Sequence, residues 1–252
     1  MSGTGERTQL PAVEPKDPHG SGVPGPHQHG DFPDVLDEPF DASALVRLRS
    51  STAAQAVDDR TLVRFLLGAD LNEQVALKRL QEDAKWRSES KPDSVSIDQV
   101  RDLLDSRQAT LLDFRDKMGN TIVYIRSHLH DPSIHPYDTH FEQYVFFIIE
   151  DAISKSATGR VTAVIDLSQF GWRNVNLNLM KNGLHMYNNH YPERLGVCLI
   201  LCPGVIFTYV YKLATPLLGP RTLGRIYLIN SEEELSHFLD PSKLPRDYCF
   251  AN

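Results

Sequence analysis

The run spanning residues 195–211, LGVCLILCPGVIFTYVY, contains no charged side chain, and it limits what this chain can become more than any other stretch. A membrane-crossing helix needs about 20 consecutive apolar residues. This run is shorter, is interrupted by Pro203-Gly204, and is followed by Lys212 and Pro216. Pro-Gly marks a turn and not the middle of a helix. The pattern predicts a buried strand over 197–202, a turn, and a very apolar helix over 205–218. A helix apolar on all sides is either enclosed in a core or faces an apolar phase. Simple burial against a sheet is one reading. The other is a lid that closes an apolar cavity with one side and meets a membrane with the other when it opens. Tyr209, Tyr211 and Lys212 suit a headgroup boundary.

The rest of the chain shows what such a helix would close. Residues 1–36 are rich in Pro, Gly, His and charge without a periodic apolar pattern, and are expected to form a disordered tail. Gly20, Gly22 and Gly25 match a dinucleotide fingerprint by spacing only, since Pro24 lies inside it and no strand precedes it. Residues 37–92 read as a helical module. Leu45 and Leu48 mark one helix and residues 60–67 a second; a third opens at Asn72, with Val75, Leu80 and Ala84 on one face, and ends at Lys91-Pro92-Asp93.

Over 93–252, strands are expected at 110–114, 121–126, 161–166, 197–202 and 225–229, alternating with helices. The clearest helix covers 138–155, with Thr139 and Glu142 as a capping box. Phe141, Tyr144, Val145, Ile148, Ile149 and Ala152 follow the 3.6 period, and Phe146, Phe147 and Ile153 add a second apolar face. Another helix over 176–189 carries Leu177, Met180, Leu184 and Tyr187 in register. The last opens at Ser231 with Glu234 and buries Leu235, Phe238 and Leu239. The expected class is α/β: an N-terminal helical module, then a mostly parallel β-sheet flanked by helices.

Several function classes lose support. A net charge of −7 provides no global basic field for nucleic acid. Cys198, Cys202 and Cys249 are too few for a disulfide framework, and their odd number suits a reducing compartment. No signal-peptide core opens the chain. His128, His130, His135 and His140 cluster in sequence, but no Cys or carboxylate completes a metal-ligand spacing. Asp113 and Asp166 stand at strand ends without a nucleophile or base, so no enzyme is expected. Trp86 and Trp172 read as packing residues.

Five strings, in order over residues 40–250, resemble a known family. They are Leu62-Val63-Arg64-Phe65-Leu66-Leu67, followed by Lys85-Trp86-Arg87; Val164-Ile165-Asp166-Leu167; Asn189-His190-Tyr191-Pro192-Glu193-Arg194-Leu195-Gly196; the apolar helix with Pro216-Leu217-Leu218, then Thr222-Leu223-Gly224-Arg225-Ile226; and Leu244-Pro245-Arg246-Asp247-Tyr248. Together they resemble the CRAL-TRIO lipid-binding domain of phosphatidylinositol-transfer and tocopherol- or retinal-binding proteins.

The resemblance implies a pocket that holds one lipid, gated by the helix at 205–218. Tyr144, Phe147, Ile148, Val161, Ala163, Val205, Phe207, Tyr209, Val210 and Leu213 are the expected lining and gate. Glu193, Thr222 and Arg225 match headgroup positions of phosphatidylinositol-binding members, although Glu193 and Arg225 equally read as a structural ion pair. Val161 and Ala163 replace the Ser and Thr of those members, and Gly68, Ala69 and Asp70 replace basic residues. The implied cargo is phosphatidylinositol or another phospholipid, with tocopherol, a retinoid or haem as alternatives. The implied carrier needs no cofactor, works as a monomer, is cytoplasmic, and touches membranes transiently. A lipid-sensing or protein-interaction module without transfer activity is the other reading. Hiding a chain of about 16 methylenes from water is worth about 13 kcal/mol at ~0.8 kcal/mol each, so a carrier needs a comparable apolar lining.

Overall fold

The computed structural model describes residues 34–51, 54–55 and 57–251. Most of the expected tail, including Gly20, Gly22 and Gly25, lies outside them. Its last residues pack: Val35 is buried against Val63 and Leu67. Helices α1 (Ala42–Arg49), α2 (Asp59–Gly68) and α3 (Glu73–Ser90) form the N-terminal module. Asp41, Asp58 and Asn72 cap them by accepting first-turn backbone N–H groups. Leu62 to Leu67 of α2 are all buried, because α2 is wedged between α1 and α3 on one side and Val35 on another. On α3 the buried row is Ala76, Leu80 and Asp83, not the expected Val75, Leu80 and Ala84. The row turns because His190 meets Asp83 at 3.0 Å and draws it inward. Lys91, left-handed at φ 45°, ends α3 ahead of Pro92.

A short α4 (Arg101–Asp105) leads into a sheet of β1 (Ala109–Arg115), β2 (Thr121–Arg126), β3 (Val161–Asp166), β4 (Leu195–Leu201) and β5 (Ile226–Ile229). The strands lie in the order β1-β2-β3-β4-β5; β1 is antiparallel to β2 and every other pair is parallel. The crossovers carry α5 (Thr139–Lys155), α6 (Leu177–His190), and α7 (Val205–Ala214) with α8 (Pro220–Leu223). The class is α/β with a mostly parallel sheet flanked by helices.

Successive side chains of a strand point to opposite faces. One face offers Ile122, Tyr124, Val164, Leu199, Leu201 and Ile229, which are covered by the C-terminal segment through Leu235, Phe238, Leu239, Leu244 and Tyr248. The other face offers Val123, Ile125, Val161 and Ala163 to the crossover helices. α5 is buried on two sides: Phe141, Tyr144, Ile148 and Ala152 face Val123, and Phe146 faces Met186 and Tyr191. Its cap is Asp138, which accepts from Phe141 N–H, in place of the expected Thr139–Glu142 box. A carboxylate there also meets the positive end of the helix, and Glu142 instead accepts from the Tyr137 hydroxyl at 3.2 Å.

The cysteine reading needs correction. Cys202 and Cys249 form a disulfide, with Cα atoms 6.6 Å apart, because the C-terminal segment returns across the ends of β3 and β4. Cys198 is free and buried, and burial pushes its thiol up to about 12. No helix among the described residues is long and apolar enough to cross a membrane.

Candidate functional site

Between α5 and the sheet lies a cavity of about 260 Å³. Tyr144 and Ile148 enter it from α5; Val123, Ile125, Val161 and Ala163 form its floor; Tyr187, Tyr191 and Leu195 close one end. The strand pleat explains the floor, since 123 and 125 share a face, as do 161 and 163. The Tyr187 hydroxyl oxygen accepts from the Leu195 backbone N–H at 3.1 Å. Burial pushes that phenol up to about 12, so it stays neutral.

A second cavity, of about 220 Å³, lies beside α7. Val210 stands in its wall, and Ile125 is common to both cavities. Four of the sequence-predicted lining residues, Tyr144, Ile148, Val161 and Ala163, therefore meet at the first cavity, and Val210 reaches the second. Phe147 packs into the core beneath α5. Phe207 packs with Ile165, Cys198 and Ile200, and stands 5.4 Å from the Tyr211 ring.

α7 is two-sided. Phe207 and Val210 face the protein, whereas Val205 is 77% exposed and Tyr209 and Leu213 are each 54% exposed. Leu217 continues that outer row, whose spacing of four keeps it on one side of a helix. Trp172 joins the row: it is 65% exposed, with its ring 6.0 Å from that of Tyr209. This corrects its reading as a packing residue. Trp86 does pack, stacked on His190 at 3.9 Å.

The expected headgroup residues meet in a different arrangement. Glu193 sits on the turn between α6 and β4 at φ 57°, a left-handed conformation that a non-glycine residue holds only under tertiary constraint. Its carboxylate is buried and accepts from Arg221 Nε at 2.9 Å and from Arg225 Nη2 at 2.5 Å. Glu38, from the N-terminal module, binds Arg221 at 2.5 Å and also pairs with Arg160. Burial alone pushes the Glu193 carboxyl up, but the bonds from Arg221 and Arg225 hold it below its ordinary range. Thr222 lines a cleft of about 310 Å³ with Glu193 and Arg221. Sequence reasoning missed Glu38, Arg160 and Arg221, because no local pattern links three elements so far apart in the chain. The Glu193–Arg225 contact has the form of a structural ion pair, here extended into a five-residue network.

The histidines do not converge. His140 pairs with Asp102 at 3.0 Å, whereas His130 is buried between Gln108 and Asn176. Among the described residues, no group of His, Cys, Asp or Glu is placed to hold a metal ion. Asp166 accepts from the Tyr124 hydroxyl at 2.5 Å and from Ser168 and Cys249 N–H groups, which accounts for its burial structurally.

Comparison with known proteins agrees with this architecture. The phosphatidylinositol transfer protein CSR1 of Eremothecium gossypii is 26% identical over 201 residues, which cover 74% of this chain and 46% of that protein. Human tyrosine-protein phosphatase non-receptor type 9 is 27% identical over 145 residues, covering 56% of this chain and 23% of that one. The chain thus spans less than half the length of these curated relatives. The crystal structure of Sfh5 superposes with a TM-score of 0.63 at 14% identity, over 79% of this chain and 84% of the other, and shares the fold. The family model described as the CRAL/TRIO domain matches residues 105–248, more than half of the sequence, and the chain belongs to that family.

Proposed function

We propose that this protein is a lipid carrier that shelters one lipid against the sheet beneath α5, α6 and α7. The observation that carries the reading is the apolar cavity floored by Val123, Ile125, Val161 and Ala163. It lies near a helix with an apolar inner side and an exposed apolar outer row. An exposed row of this kind marks an interaction surface. Tyr209 and Trp172 have the amphipathic rings that favour a membrane interface. In this reading α7 is the movable cover, pivoting at Pro203-Gly204, and the carrier associates with membranes peripherally. Docking the outer row of α7 in the headgroup layer offsets the packing that its inner side gives up. Relatives named for phosphatidylinositol transfer support a lipid cargo. The direct test is native mass spectrometry of the purified chain, with movement of labelled lipid between donor and acceptor vesicles. Bound lipid and vesicle-to-vesicle movement are expected. A chain that neither carries lipid nor takes any from vesicles overturns the reading, and binding without movement makes it a sensor.

A further inference from the structure

The cavity beside α7 has a polar end that neither the ion-pair network nor the apolar floor accounts for. Ser127 and His130 come from the turn after β2, and Asn174 and Asn176 from the turn after β3. They sit at the carboxyl ends of adjacent parallel strands, where open α/β sheets place their ligands.

The hydrogen-bond inventory of this end shows what it can accept. The His130 ring is bracketed, with Nδ1 2.8 Å from Gln108 Oε1 and Nε2 3.2 Å from Asn176 Nδ2. The amide nitrogen of Asn176 can only donate, so Nε2 accepts and Nδ1 carries the proton. Burial, reinforced by the charge of His135, lowers the imidazole's proton affinity and keeps the ring neutral. Asn174 Nδ2 is spent on the backbone carbonyls of His128 and His130, and its Oδ1 accepts from Gly171 N–H. Asn176 Oδ1 caps α6 through Leu179 N–H, which leaves the second N–H of its amide. The Ser127 hydroxyl has no hydrogen-bond partner among the described residues. One amide N–H and one hydroxyl therefore remain for a ligand, both able to donate to an oxygen.

None of the residues lining this cavity carries a charge. A phosphate or carboxylate buried there would lack a counter-charge, which is heavily penalised, whereas a hydroxyl or carbonyl oxygen would find its donors waiting. At the Glu193 turn Arg160, Arg221 and Arg225 are committed to Glu193 and Glu38, and Arg194, in the wall of the cavity beneath α5, donates to the Gly159 carbonyl at 3.0 Å. The two cavities share Ile125 and follow one face of β2. Their volumes of about 220 and 260 Å³ together fall in the lower part of the ~300–1,000 Å³ span of small-molecule sites. Joined past Ile125, the two would hold one chain.

We propose that the polar end formed by Ser127, His130 and Asn176 recognises an uncharged, oxygen-bearing head of a single-chain lipid, whose tail runs past Ile125 into the cavity beneath α5. The proposal rests on the carrier reading and narrows it to a ligand class: long-chain alcohols, monoacylglycerols and similar neutral amphiphiles.

The test uses the full chain incubated with vesicles carrying one of three labelled probes: monooleoylglycerol, oleate or dioleoyl phosphatidylinositol. Retained label is measured after gel filtration at neutral pH. Monooleoylglycerol is expected to be retained at least tenfold better than either charged probe. Ser127→Ala should weaken that retention by about fivefold to tenfold, the loss of one hydrogen bond to an uncharged group. Ser127→Thr, which keeps the hydroxyl, should restore it, and circular dichroism confirms that both variants are folded. Retention of phosphatidylinositol but not monooleoylglycerol overturns the proposal and leaves the carrier reading standing. Retention of none of the three overturns both. Undiminished monooleoylglycerol binding by the folded Ser127→Ala variant overturns the placement of the head.

Discussion

Asn120 closes directly over Gly196: a Cβ added at 196 would lie 2.4 Å from the Asn120 Nδ2 atom. Asn120 cannot yield easily. Its amide donates to Asp116 Oδ2 at 2.8 Å and its oxygen accepts from the Thr158 hydroxyl at 2.6 Å. Gly196→Ala is therefore expected to destabilise the fold by about 1–3 kcal/mol, the range for overpacking a filled site. Urea unfolding of the two proteins checks it; an unchanged midpoint rejects the clash.

Glu193 anchors its network through Arg221 and Arg225, and its removal leaves these part-buried guanidiniums to share the single carboxylate of Glu38. Glu193→Ala should cost about 3–5 kcal/mol. The sign of the pH effect follows from the lowered carboxyl. Its contribution is complete above the ordinary value of 4.5 and is lost as pH falls through the lower folded value. Stability measured from pH 6 to pH 3 should fall less steeply in Glu193→Gln than in the parent. Parallel curves would show that Glu193 does not carry that titration.

Ala163 lies on the floor of the cavity beneath α5. Ala163→Phe puts a ring where the lipid tail would lie. Lipid retention should drop more than tenfold, while the stability change stays within about 3 kcal/mol. Equal lipid content in parent and variant, by extraction and mass spectrometry, would place the tail elsewhere.

The Cys202–Cys249 bond closes a loop with a sequence separation of 47. Disulfides that close loops contribute typically 2–4 kcal/mol. Adding a thiol reductant should lower the unfolding midpoint of the parent and leave that of Cys249→Ser unmoved. A reductant that shifts neither indicates that the two sulfurs are unbonded in solution.

Val205, Tyr209 and Leu213 form the exposed row of α7. Replacing Leu213 by Glu puts a charge where an apolar contact with lipid would form. Sedimentation with vesicles should fall severalfold, with the thermal midpoint unchanged because residue 213 already faces solvent. Equal sedimentation would remove this row from the membrane contact.

Residues 121–126 and 161–166 could be read as strands, and 138–155 as a doubly buried helix, because their patterns are local and strongly periodic. The apolar floor at Val161 and Ala163 follows from the family resemblance, and the strand pleat puts both on one face. What escaped the sequence depends on contacts distant along the chain. Glu38 meets Arg221 across 183 positions, and Cys249 meets Cys202 only because the C-terminal segment doubles back. Asp83 turns inward for His190, which no pattern within α3 announces. Trp172 looked like a core residue by type, yet its place on a short turn beside α7 leaves it outside. The polar end at Ser127, His130 and Asn176 joins two separate turns, so the histidine spacing that drew attention to it pointed to the wrong partners.

The strands of the sheet run side by side in the order in which the chain lays them down. Each parallel connection is right-handed as a rule, so a sheet that grows steadily in one direction sends every connecting helix to the same flank. Labour is thereby divided between the flanks. The one sealed by the C-terminal segment can bear most of the load of keeping the molecule folded. The other is left free to stay hollow, and substitutions there can retune what it carries without undoing the scaffold behind it.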